Sequence, residues 1–215
     1  MVFLSTPHIF FLLFIFLDVA QRTEGNLYHI PHAPRKSSSS SEEVLDVNQE
    51  LFTVCSYAED DQVDDVMEHV DEGADIDWVS PEEGMTCLFS AVMRGKLQVV
   101  ETMLKLGANV TIPRSTDGMT AIHAAAHYGR SLHLQAFQKH GYLTDVDQSL
   151  HGIPLIHQAC QGFSAHHKKA LSFLVEHGAD INQKDWLGRT CLDKAKNKNL
   201  RFHIEDLGGK ERAQL

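Results

Sequence analysis

Glycine returns in this chain at a fixed interval, and that interval limits what the chain can fold into. Aligned on one glycine, three stretches read "GMTCLFSAVMRGKLQVVETMLKLGANV", "GMTAIHAAAHYGRSLHLQAFQKHGYLT" and "GIPLIHQACQGFSAHHKKALSFLVEHGADI". They begin at Gly84, Gly118 and Gly152, two equal steps along the chain. A fourth start, "GRTCLDKAKNKN", begins at Gly188 after a slightly longer step. Ahead of the first, "VCSYAEDDQVDDVMEHVDEGADID" keeps only the second half of the unit, and its Gly73 precedes the matching Gly107 by that same step. A unit this short cannot enclose a core alone, so it must bury its apolar face against its neighbours.

The unit is legible as two short helices. Thr86, Thr120 and Thr190 stand where a side-chain oxygen caps a helix start. Ile122, Ala125 and Ala126 then form a narrow apolar stripe at helical spacing. Gly95 and Gly129 permit a turn. A second helix follows, with Val99, Val100, Met103 and Leu104 inward in one copy and Leu171, Leu174 and Val175 inward in another. Gly73, Gly107, Gly141 and Gly178 fall where a helix ends in a left-handed residue. Isolated helices below ~12–15 residues are marginal in water, so the expected fold is an all-α solenoid with connecting hairpin loops.

With "GMTAIHAAAHYG" and "GIPLIHQACQG" as openings and "MLKLGANV" and "LVEHGADIN" as closings, the chain resembles the ankyrin repeat, whose period is ~33 residues with a T-P-L-H-x-A opening. The resemblance covers residues 50–208: three full copies from Gly84, Gly118 and Gly152, with a half copy at each end. It implies a non-enzymatic protein-binding module. The departures are specific. Cys87, Ala121 and Cys191 replace the proline after the capping threonine, and Pro154 replaces a threonine, so that helix lacks its cap. Gln138 stands where a neighbouring copy has Leu104, and Tyr142 where others have alanine, so the copy from Gly118 should be the weakest. "GFSAHHKK" lengthens one turn by three residues.

His123 and His127 lie four apart, one turn along a helix, a spacing that holds zinc in some hydrolases. The glutamate of H-E-x-x-H is missing, and His157 holds the place of His123 in the next copy. A residue recurring once per unit belongs to the unit. The resemblance implies a structural histidine near the capping threonine at His123, and His127 should face outward. A metal-dependent hydrolase is the alternative function. No nucleophile–base pair, phosphate loop or carboxylate dyad emerges, and neither a metal nor a cofactor is expected. His133, His140, His151, His166, His167 and His177 are expected on helix ends and loops, exposed to solvent.

Charge is uneven. From Ser37 to Met93 there are 16 acidic residues and no lysine or arginine, whereas Arg94 to Leu215 carries 16 basic and 11 acidic residues. A formal charge of -10 argues against nucleic-acid binding, which needs a surplus of cations facing phosphate. The partner is therefore expected to be another protein. The loop tips and first-helix face should hold it, through Trp78, Trp186, Arg114 and Tyr142. The acidic group Asp75, Asp77, Glu82 and Glu83 would favour a basic surface. The alternative for each tryptophan is that it folds over its own helix pair.

Residues 1–25 contain "IFFLLFIFL", Ile9 to Leu17, nine apolar residues stopped by Asp18. That length suits the core of a secretory signal and falls short of the ~20 residues a spanning helix needs. Residues 26–49, with "RKSSSSSEE", read as a serine-rich linker, Ser39 and Ser40 each standing three residues before a glutamate; residues 209–215 are a tail. If the leader is real, the protein enters the secretory pathway and "NVT" at Asn109 becomes a glycosylation acceptor; otherwise it is cytoplasmic. An exported or luminal regulator is thus a third reading. Cys87 and Cys191 share one repeat position three copies apart, and Cys55 and Cys87 stand at non-matching positions. Free thiols, buried or half-buried, are expected.

Overall fold

The computed structural model describes residues 47–60, 62–143 and 149–215. The expected leader and most of the linker lie outside these residues. Ten helices among the described residues run in pairs: α1 (Val47–Tyr57) with α2 (Val63–Asp71), α3 (Cys87–Arg94) with α4 (Leu97–Lys105), α5 (Ala121–His127) with α6 (Ser131–Lys139), α7 (Leu155–Cys160) with α8 (Ala165–Glu176), and α9 (Cys191–Lys194) with α10 (Lys198–Asp206). Strands β1 (Ser149–Leu150) and β2 (Ile153–Pro154) pair antiparallel in the third hairpin, Leu150 opposite Ile153. No helix among the described residues is long and apolar enough to cross a membrane.

One continuous core runs through the stack from Leu51 to Ile204, fed by every helix pair. The closing glycines Gly73, Gly107, Gly141 and Gly178 all have positive φ, between 78° and 100°, the conformation that ends a helix without a Cβ penalty. Thr86 accepts from the Phe89 N–H, and Thr190 forms a full capping box with Asp193. Thr120 does not cap: its hydroxyl is bonded to His123 Nδ1 at 2.7 Å. Pro154 leaves α7 uncapped, as its ring requires.

The ends of the first helices are closed by side chains from farther along the chain. Lys96 Nζ donates to the carbonyls of Val54, at 3.3 Å, and Ala58. Arg130 donates to the Met93 carbonyl at 2.9 Å, and His167 Nε2 bonds the His127 carbonyl at 2.9 Å. The last carbonyls of a helix carry partial negative charge and have no intrahelical partner, so a basic side chain from the next repeat satisfies both needs. Asp60 does the reverse, accepting from the Gln98 and Val99 N–H groups at the start of α4.

The cysteines are not free. Cys55 is joined to Cys87 and Cys160 to Cys191, with Cα separations of 5.4 and 5.5 Å. Each bond links the last turn of one first helix to the first residue of the next. Cys55 and Cys160 stand equally far ahead of the closing glycine of their unit, Gly73 and Gly178 respectively. Counting from the opening glycine hides this, because the turn between α1 and α2 is itself lengthened, as the one between α7 and α8 is.

Two further expectations are overturned. Gln138 is exposed, because the adjacent Phe137 fills the interior of α6 and is fully buried. His133 is not on the surface: it is 4% exposed, and burial pushes its pKa down to about 4.

Candidate functional site

The loops joining one pair to the next are hairpins, each turning on a glycine of positive φ: Gly84, Gly118, Gly152 and Gly188. Their short ladders are Ser80 N–H to Met85 O, Arg114 N–H to Met119 O, Leu150 against Ile153, and Asp185 N–H to Arg189 O. Neighbouring tips are tied through the glycine carbonyls. Ser115 donates to Gly84 O at 2.8 Å and Trp186 to Gly152 O at 3.2 Å. A second row of ties lies below them. Asn48 accepts from the Asp75 N–H, Asp77 from the Asn109 N–H and Asn182 from the Lys210 N–H, at 2.6–2.7 Å. The result is a row of tips held in fixed register.

The four side chains nominated from sequence separate here. Trp78 is half-buried and meets Phe52 edge-on, ring centroids 6.2 Å apart, so it shields its own helix pair. Arg114 is turned inward, its guanidinium 4.8 Å over the Phe89 ring and bonded to both oxygens of Asp117. That hydrogen bond holds the Asp117 carboxyl below its ordinary range. Tyr142 is half-buried against the core. Trp186 alone of the four projects, 68% exposed, with Leu187 beside it at 44%.

The hairpin under Trp186 is anchored. Asp185, 5% exposed, takes Arg189 at 2.8 Å and Lys194 at 3.9 Å, and accepts the Leu187 and Arg189 N–H groups. Burial would raise its pKa, and these donors hold it below the usual carboxylate value. Leu187 and Val79, both exposed on hairpins, are not among the residues expected from the sequence to meet a partner. The available signal for Leu187 was an apolar pair, "WL", directly before a turn glycine.

Of the acidic group, Asp75 and Glu82 are exposed, while Asp77 and Glu83 are half-buried, Asp77 being used in the tie to Asn109. Asn109 is exposed, its Oδ1 accepting from the Thr111 N–H and hydroxyl at 2.9 and 2.7 Å.

His123 is buried with its Nδ1 on the Thr120 hydroxyl, and the equivalent His157 bonds the Gln183 carbonyl at 2.8 Å, tying helix to hairpin. His127 is exposed and lies edge-on to Tyr128. Among the described residues, the metal-ligating side chains that do gather are Glu50, His69 and Glu72, on the acidic end, with their nearest ligand atoms all within 4.8 Å of one another.

A comparison with curated proteins gives no match. The family model for ankyrin repeats in three copies matches residues 51–146 and 110–185. That match spans more than half of the chain and falls on the first four helix pairs and the three hairpins between them: the chain belongs to the ankyrin-repeat family.

Proposed function

We propose that the protein is an adaptor or regulator that holds another protein against its hairpin row, anchored at Trp186 and Leu187. Ankyrin repeats are interaction modules and are generally non-enzymatic. The observation that carries the finer reading is Trp186, 68% exposed on a hairpin fixed by a buried, multiply bonded aspartate. An aromatic side chain presented on a rigid frame loses little entropy on binding, and tryptophan is among the residue types that dominate interface energies. At the far end of the row Asp75 and Glu82 favour a partner with a basic surface, whose binding weakens as salt is raised.

Proximity labelling or a pull-down with the full chain identifies the partner. Trp186→Ala should then weaken binding about 30-fold, equivalent to ~2 kcal/mol, with no change in melting temperature. Trp78→Ala should do the opposite, lowering the melting temperature and leaving affinity intact. Normal binding by Trp186→Ala would remove this face from consideration.

The compartment belongs to the same reading. Disulfides persist where the surroundings are oxidising, and the two bonds here agree with a secretory leader and an exposed acceptor at Asn109. Protein from its native source should show no free thiol, a start near Asn26, and a mass that falls on enzymatic removal of N-glycans. Cytosolic protein with Met1 intact and reduced cysteines would exclude the secretory reading.

A further inference from the structure

At the other end of the helices, away from the hairpins, the turns and second helices enclose a groove of about 650 Å³. Its walls carry Arg130, His133, His166, Lys168, Lys169 and His203, against one carboxylate, Glu176. Lys168 and Lys169 make no ion pair among the described residues. Leu97, Leu132 and Phe173 add apolar surface, Leu132 being 56% exposed. His133 lines the groove, 4% exposed, with a buried Nε2 that has no hydrogen-bond partner among the described residues.

We propose that this groove is a second docking site, separate from the hairpin row, and that it takes an acidic peptide segment of a partner protein. Carboxylates of the segment pair with Lys168 and Lys169, and an apolar side chain between them seats on Leu132, with the edge of the largely buried Phe173 behind it. Charge complementarity sets the sign: the chain from Arg94 onward has 16 basic against 11 acidic residues. The apolar wall and Glu176 set the class. A continuous polyanion such as a sulfated glycan would bring charge against both, whereas a peptide offers spaced carboxylates and apolar side chains together.

The test uses the oxidised full chain and a fluorescent hexapeptide, Glu-Leu-Glu-Glu-Phe-Glu, followed by anisotropy. Binding should weaken as salt is raised, fall at least tenfold in the Lys168→Glu/Lys169→Glu double variant, and fall again in Leu132→Glu. Leu132 and Lys169 are exposed and Lys168 is half-buried, so the variants should fold, which circular dichroism checks. Trp186→Ala should bind the peptide normally, which separates this site from the hairpin row. No binding at millimolar peptide, binding that survives charge reversal, or binding only of a sulfated oligosaccharide each overturns the proposal.

Discussion

His133 titrates against the fold. Burial lowers its pKa from 6.5 to about 4, and His123 and His157 are pushed the same way, in each case chiefly by burial. A histidine whose folded pKa lies below its unfolded value binds more protons once unfolded. Its contribution is therefore complete above ~6.5 and is lost as pH falls toward the folded value. Urea midpoints measured from pH 7 to pH 4.5 should drop steadily, each buried histidine adding up to ~1.4 kcal/mol per pH unit. His133→Gln should flatten the slope, and an unchanged slope would place the effect elsewhere. Gln138 gives the contrasting case. Because it is exposed, Gln138→Leu should change stability by less than ~0.5 kcal/mol, and the larger gain that its alignment with Leu104 suggests should not be seen.

Among the elements, α9 needs the most help to exist. It has four residues, too few to persist alone. Thr190 supports it in two directions: it accepts from the Asp193 N–H and donates to the Lys210 carbonyl at 2.7 Å. Thr190→Ala should therefore cost ~1–2 kcal/mol, and more than Thr120→Ala, whose hydroxyl caps nothing; thermal unfolding of the two variants decides. The helix pairs themselves were readable in advance, since period, closing glycines and apolar spacing are local and repeat. What escaped was non-local. Arg114 looked available because Asp117 and the Phe89 face come together only once the hairpin has closed. Cys55 and Cys87 looked mismatched because a lengthened turn shifts the count. Trp186 could be placed on a loop tip, but whether it faced water or its own repeat required the packing that Trp78 has and Trp186 lacks.

Among the described residues the disulfides join the first two helix pairs and the last two, and only the middle pair, α5 with α6, carries none. In the chain-entropy account a crosslink spanning 32 or 31 residues is worth about 3–4 kcal/mol. Reduction should accordingly lower the melting temperature and let the terminal pairs exchange amide hydrogens first, the pattern expected where stability is a sum over neighbours. The same placement has a mechanical consequence. Tension applied between the chain ends passes through a disulfide and around the residues it encloses, so those residues add nothing to the extension. Oxidised, the protein can extend only through its middle and its tails; reduced, it should lengthen by a further ~200 Å, at roughly 3.4 Å per released residue. Single-molecule pulling with and without a reductant would read that difference directly. A stack fastened at both ends can thus yield at its centre under load while each end keeps its own topology, ready to re-zip when the load is removed.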